Sequence, residues 1–276
     1  MSGTLYLCAT PIGNLGDLSA RCLEIFSEVD LIACEDTRRT LQLLNHFGIH
    51  KPLTSYHEHN KKEKGAYITA LLEEGKNIAL VSDAGTPAIS DPGEDLVKLC
   101  IEQNINVTSL PGPVAGINAL ILSGLPTSRF SFEGFLSVNK AERRAHLSSL
   151  ANETRTMLFH EAPHKLKATL ADLLATFGAD RRIAICRELT KLNEEILRLT
   201  IGEAVAYYDV QAPRGEYVLV VEGAQEEIAP DEFWKTLDIP AHVKHYMDTG
   251  MAKMDAIKQT ARDRGVQKNE IYKVMV

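Results

Sequence analysis

Between its seventy-eighth and ninety-third positions the chain reads Ile78-Ala79-Leu80-Val81-Ser82-Asp83-Ala84-Gly85-Thr86-Pro87-Ala88-Ile89-Ser90-Asp91-Pro92-Gly93. The opening apolar run has no polar alternation, which predicts a strand buried on both faces. It stops at Ser-Asp-Ala-Gly-Thr-Pro, where Gly85 allows unusual backbone angles and close approach of a ligand to the chain. Asp91 then reads as a helix N-cap, with Pro92 opening a helix to Glu102. Taken alone, the motif is equally an ordinary strand-to-helix turn capped by Asp83. Its neighbours separate the two readings.

Upstream, Leu5–Ala9 predicts a strand that runs into Thr10-Pro11-Ile12-Gly13-Asn14, followed by a helix over 19–29. A second strand, Leu31–Cys34, ends in Glu35-Asp36-Thr37-Arg38-Arg39, with a helix over 40–47 closed by Gly48. A third, Leu53–Tyr56, ends in His57-Glu58-His59-Asn60 and leads to a helix over 62–74. Right-handed βα succession brings all four loaded tips to one edge of one sheet, the edge where open α/β sheets bind ligands. A fifth strand, Val107–Leu110, precedes Pro111-Gly112-Pro113 and a helix over 114–123 with small residues at Ala115, Gly116 and Ala119. The first loop is not a GxGxxG and no P-loop lysine follows it, which disfavours a dinucleotide or nucleoside-triphosphate site.

A break at Gly124-Leu125-Pro126-Thr127 marks an expected domain boundary, so that 1–126 is an N-terminal α/β domain. The second domain, 127–224, begins with a mixed segment bearing Phe130, Phe132 and Phe135 and a basic cluster of Lys140, Arg143 and Arg144. Strands follow at 156–161, 183–189, 194–200 and 216–222, with helices at 163–177 and 202–208. Two of these strands lie close enough for a hairpin, so the second sheet is expected to be mixed. An acidic linker over 225–232 leads to three short helical patterns within 225–276, broken at Gly250 and Gly265. The last carries Lys268, Tyr272 and Lys273 and reads as part of a helix-turn-helix-like module facing a phosphate backbone.

Composition fits this α/β plan. The chain has 276 residues, 45% of them apolar and 24% charged. Net charge is −7, yet residues 235–276 hold eight Lys/Arg against five Asp/Glu, or +3, leaving −10 elsewhere. Such asymmetry makes the tail the part suited to a polyanion. Five dispersed cysteines without CxxC spacing predict buried thiols rather than disulfides or zinc. His57-x-His59 lacks a third ligand at helical spacing, so no metal is expected. No long apolar run and no leader pattern predict a cytoplasmic protein with no membrane partner.

Taken together, Thr10–Leu15, Glu35–Arg38, Tyr56–Asn60, Val81–Pro87, Leu110–Pro113, Ser123–Thr127, Phe132–Phe135, Arg187–Lys191 and Gly215–Gly223 resemble the tetrapyrrole (corrin/porphyrin) methylase superfamily, in the branch that modifies ribosomal RNA. Two departures stand out: Ala9 where the family usually has proline, and His160 where it tends to have tyrosine. The resemblance implies S-adenosyl-L-methionine bound between two α/β domains of a homodimer. It implies 2′-O-methylation of a decoding-centre cytidine in the 16S RNA of the small ribosomal subunit. Its cofactor contacts fall on Pro11, Asp83, Gly85, Thr86, Ile89, Ala115 and Gly116, and loosely on 161–163 and 187–189.

A ribose hydroxyl must lose its proton to attack, and a base at the strand tips would serve. Glu35, Asp36, His57 and Glu58 are the candidates, with Asp36 or Glu58 expected to take the proton. Arg38 and Arg39 are placed to grip a phosphate bidentately. The alternatives are a sister methylase acting on a tetrapyrrole or on a modified histidine, and an RNA-binding assembly factor without catalysis. The first has no use for a basic tail; the second would not bind the cofactor.

Overall fold

A computed structural model describes residues 2–225 and 233–275. Apart from Gln225, the expected acidic linker lies outside the described residues. Contacts divide the chain after Ala224 into two compact units.

The first unit opens with β1 (Thr4–Cys8), α1 (Ala20–Glu28), β2 (Leu31–Cys34), α2 (Thr37–His46), β3 (Leu53–Ser55), α3 (Lys61–Glu73), β4 (Ile78–Val81), α4 (Gly93–Glu102), β5 (Asn106–Leu110) and α5 (Ala115–Ser123). The five strands form one parallel sheet in the order β3-β2-β4-β1-β5. Phe26 and Leu44 of α1 and α2 pack on the face carrying Cys8, Ile32, Cys34 and Val81. Ile68, Leu72, Leu96 and Cys100 of α3 and α4 pack on the face carrying Leu5, Ala33, Ile78 and Leu80. Helices on both faces are why β2 and β4 are buried at every position and show no alternation.

The remaining elements of this unit are β6 (Phe130–Phe135), α6 (Lys140–Ser149), β7 (Thr156–Glu161), α7 (Leu166–Phe177), β8 (Arg182–Arg187), β9 (Glu195–Thr200), α8 (Ile201–Val210) and β10 (Tyr217–Val221). Their sheet has the order β6-β7-β10-β8-β9. It is mixed, as expected: β6 runs parallel to β7, while β8 and β9 form an antiparallel hairpin. Helices α7 and α8 cover one face around Phe159, Leu170 and Leu219. The other face receives Ala119 and Leu120 of α5 against Leu158, Ala184, Cys186 and Val220. Helix α5 precedes the boundary expected near Pro126, yet its buried side belongs to the second sheet's core.

The second unit holds α9 (Ile239–Asp248), α10 (Lys253–Asp263) and α11 (Lys268–Met275) around Val243, Ala256, Ile257 and Ile271. Gly250 and Gly265 break the pattern with φ of +97° and +65°. All five cysteines are buried and free. No helix among the described residues is long and apolar enough to cross a membrane.

Three local expectations need correction. Helix α2 starts at Thr37, so Thr37, Arg38 and Arg39 lie in its first turn rather than in a loop. Helix α4 starts at Gly93, and Asp91 caps it from one residue further back, accepting from Gly93 N at 2.7 Å and Ala88 N at 3.0 Å. The mixed segment after Arg129 contains an edge strand, β6, whose ladder slips at a bulge between Phe132 and Gly134.

Candidate active site

The carboxyl ends of β1, β4 and β5 are tied into one rim. Thr10 and Gly85 form an isolated antiparallel bridge: Thr10 N donates to Gly85 O at 2.9 Å and Gly85 N donates to Thr10 O at 3.0 Å. Thr86 Oγ1 donates to Pro113 O at 3.1 Å, bringing in the turn after β5. Gly85 has φ +86°, and a Cβ there would stand 3.4 Å from Ile12 and 3.6 Å from the Pro113 carbonyl. Only glycine adopts that angle without strain, so the rim closes around bare peptide groups.

Asp83 joins the β2 tip to the same rim. Its Oδ1 accepts from Asp36 N at 3.1 Å and its Oδ2 from Arg39 Nη1 at 3.0 Å. Asp83 and Pro11 open onto one cavity of about 150 Å³, shared with Thr10, Gly13, Arg39 and Ser82. Cofactor pockets usually span about 300–1,000 Å³, so this cavity has room for only part of such a ligand.

Beyond Gly85 the loop is held by Asp91, a half-buried carboxylate that accepts from Ala88 N with both oxygens. Burial raises its pKa, against the pull of the Gly93, Ala88 and Ile89 amides. Ala88 and Ser90 take positive φ on either side of Ile89, and that strained turn displays the Ile89 side chain, 46% exposed. A Cβ on Gly116 would meet Phe132 and Leu158 of the second sheet at 3.7 Å.

The four candidate bases have very different surroundings. Asp36 is the N-cap of α2; it accepts from Arg38 N at 2.8 Å and pairs with the Arg38 guanidinium through both oxygens. Those Arg38 contacts, side chain first, hold its pKa down to about 2. A carboxylate so committed favours its charged, hydrogen-bonded form. Glu58 is ion-paired at 2.7 Å with Lys61, which also grips Asp95. The His57 amide donates to Asn60 Oδ1, and its Nδ1 is buried with no hydrogen-bond partner.

Glu35 alone of the three carboxylates has a side chain with no hydrogen bond or ion pair among the described residues. Although it reaches solvent, partial burial raises its pKa, and the negative fields of Asp83 and Asp91 add to that rise. Arg39 and His57 oppose it.

The cationic candidates also divide. Arg38 and Arg39 are 87% and 67% exposed at the side chain but have carboxylate partners. Arg143 turns inward: 12% exposed, it pairs with buried Asp172 at 2.8 Å and donates to the carbonyls of Ser137 and Val138. Arg144 takes the other Asp172 oxygen. Lys140 is exposed, as are Lys268, Tyr272 and Lys273 on α11.

Sequence reasoning missed how the second sheet reaches the first loop. A Cβ on Gly13 would lie 2.3 Å from Lys191 Cγ and 3.0 Å from Thr190 Oγ1. Gly13 is therefore required where the turn after β8, with Glu188 and Thr190 at positive φ, packs on the rim. Among the described residues, no group of three or more His, Cys, Asp or Glu is placed to hold a metal ion.

A parallel sheet followed by a mixed one, with the rim at the carboxyl edge of the first, is the frame in which this site is built. Residues 4–205 match the tetrapyrrole (corrin/porphyrin) methylases. Solved relatives include uroporphyrin-III C-methyltransferase from Thermus thermophilus, with TM-score 0.57 and 18% identity over 80% of this chain and 94% of that one. A diphthine synthase aligns with TM-score 0.60 and 15% identity over 80% and 90%. At such identities these two establish the architecture alone.

The chain belongs to the tetrapyrrole methylase family and is an S-adenosylmethionine-dependent methyltransferase. Within that family it is similar over nearly its whole length to proteins named ribosomal RNA small subunit methyltransferase I. That of Halalkalibacterium halodurans is 50% identical over 99% of this chain and 94% of its own. Those of Synechocystis and Escherichia coli O157:H7 are 47% and 45% identical, covering 99% and 98% of this chain and 97% and 94% of theirs.

The rim's chemistry suits this cofactor. Asp83 places a carboxylate beside the cavity, and Gly85 brings the chain close to it without a side chain.

Proposed function

We propose that this enzyme methylates the 2′-oxygen of a decoding-centre cytidine in the 16S RNA of the small ribosomal subunit, acting in the cytoplasm as a homodimer. The names of its near-full-length relatives support small-subunit ribosomal RNA as the substrate. The observation that carries the ribose chemistry is Glu35, a carboxylate within the field of Asp83 whose side chain has no hydrogen bond or ion pair among the described residues.

Pro11, Asp83, Gly85, Thr86, Ile89, Ala115 and Gly116 would hold the methyl donor. When bound, S-adenosylmethionine supplies a methyl group on a positively charged sulfur that leaves readily. Orientation then sets the rate, and fixing two reactants in line is worth about 7–11 kcal/mol. The bridged rim gives that fixity, because three strand ends cannot move independently. Glu35 accepts the proton of the ribose hydroxyl, its raised pKa bringing it nearer the working pH. Asp36 positions α2, and through it Arg38 and Arg39, beside the neighbouring phosphate. Lys140 and the α11 face with Lys268 and Lys273 extend the grip on RNA.

Mapping 2′-O-methylation on small-subunit RNA from cells with and without the gene tests this reading. One cytidine should lose its methyl group without the gene, regain it with the wild-type gene, and stay unmodified with Glu35→Gln. Unchanged methylation without the gene would refute it.

A further inference from the structure

The face of the second sheet that α5 leaves uncovered carries a feature the rim does not explain. In the ladder Phe135 lies beside His160, and His160 beside Val218. Leu158 and Val218 on this face lie under α5, whose first turn at Gly116 touches Phe132 and Leu158. Next along β7, past the end of α5, stands His160.

Loops of the first sheet flank it. A Cβ on Gly134 would lie 3.5 Å from Ser90 Oγ, in the strained turn that displays Ile89. Glu216, whose charge acts on His160, is ion-paired with Lys191, and the Lys191 stem stands against Gly13.

The imidazole meets two phenyl rings edge-on, Phe132 at 5.2 Å and Phe135 at 5.3 Å. Its Nε2 is buried and has no hydrogen-bond partner among the described residues. An orphaned buried nitrogen of this kind calls for a partner. Burial lowers the His160 pKa, against the Glu216 charge, which favours the neutral ring; in that form Nε2 donates or accepts according to tautomer. Phe135 is 58% exposed and Phe132 38%. Both rings therefore present surface to solvent beside the imidazole.

We propose that His160, Phe132 and Phe135 form a nucleobase subsite, with a planar base against the phenyl rings and its edge hydrogen-bonded to His160 Nε2. Aromatic stacking combined with an edge hydrogen bond is how proteins hold an unpaired base. The inference rests on the methyltransferase reading, which brings two bases to this cleft: the adenine of the methyl donor and the base of the target nucleotide.

The test uses the full chain carrying His160→Phe, which keeps a ring and removes the nitrogens, and Phe135→Ala. S-adenosylhomocysteine affinity is measured by calorimetry and small-subunit RNA affinity by filter binding, with thermal midpoints alongside. Each variant should weaken the same one of the two ligands by about tenfold, the worth of one hydrogen bond or stack, and leave the other unchanged. His160→Gln, with an amide at similar reach, should recover part of the loss. Selective loss of S-adenosylhomocysteine places the adenine in the subsite, and selective loss of RNA places the target base there. Unchanged affinities, or an equal loss of both, would overturn the subsite. Wild-type protein that binds no S-adenosylhomocysteine would instead overturn the methyltransferase reading beneath it.

Discussion

Thr10 and Gly85 exchange both of their backbone hydrogen bonds, although they follow strands β1 and β4. The exchange fixes two strand ends at one spacing, and Thr86 adds the third through Pro113. Gly85 makes it possible, since its φ of +86° is one a side chain resists. Gly85→Ala should cost about 1–2 kcal/mol of stability from the left-handed backbone alone. Crowding against Ile12 and Pro113 should add weaker S-adenosylhomocysteine binding. Thermal unfolding and calorimetry on the one variant check both.

Glu35 and Asp36 are adjacent in sequence and opposite in chemistry. Glu35→Gln should lower kcat by about 10²–10⁴-fold with cofactor affinity retained. In the wild type, the acidic limb of the rate profile should lie above the usual glutamate range, because burial and the Asp83 and Asp91 charges favour protonation of Glu35. A limb at the ordinary carboxylate value, or a Glu35→Gln enzyme of normal kcat, would remove Glu35 from the mechanism.

Asp36→Asn should act on stability instead. The folded-state pKa of Asp36, about 2, lies below the unfolded value near 3.9, so its contribution is fully present above about pH 4. It fades as pH falls towards 2. The thermal midpoints of wild type and Asp36→Asn should therefore differ at neutral pH and converge in acid. A gap independent of pH would show that the carboxylate's charge is not what matters.

Much of this was legible in the sequence because parallel strands covered on both faces announce themselves as unbroken apolar runs. Val81 and Cys34 end such runs abruptly, and chemistry-bearing residues follow each. The β6 strand was not legible: it lies at a sheet edge, is largely exposed and is interrupted by a bulge, so neither periodicity survives. The different surroundings of the candidate bases were hidden for another reason. Nothing in Glu35-Asp36-Thr37-Arg38 shows that Asp36 caps a helix and spends itself on Arg38. The Gly13 contact is a long-range fact, set by Thr190 and Lys191, which no local pattern encodes.

Arg143 and Lys140 share a helix and should separate on substitution. Asp172, 5% exposed at the side chain, would be pushed up by burial, but the Arg144 and Arg143 guanidiniums outweigh this and hold its pKa below the usual range. Removing Arg143 leaves that charge with one exposed partner. Breaking a buried pair costs about 3–5 kcal/mol, and the residual Arg144 contact should keep Arg143→Ala at or below the lower end. Lys140→Ala should leave the thermal midpoint unchanged and weaken RNA binding in a salt-dependent way. An Arg143→Ala protein of unchanged stability would return that side chain to the RNA-facing set.

The helical module has its own polar centre in His242, whose side chain is fully buried. Its Nε2 lies 3.1 Å from Asp263 Oδ2, Arg264 Nε donates to its Nδ1 at 3.2 Å, and Trp234 stacks parallel on the ring. Tyr246 donates to the same Asp263 oxygen. An Nδ1 that accepts from a guanidinium must be unprotonated, so the network requires neutral imidazole donating through Nε2. Burial accordingly lowers the His242 pKa, against the Asp263 charge. With the folded value below the unfolded value of about 6.5, the stabilisation is fully present above that pH and is lost as pH falls through it. Protection of the α9 and α10 amides, relative to their intrinsic exchange rate at each pH, should therefore fall from pH 7 to pH 5, and more than in α3 or α7. His242→Phe, which keeps the stack but strands Asp263 and Arg264, should lower protection there already at pH 7 and abolish its dependence on pH. Retained pH dependence in that variant would assign the titration to another group.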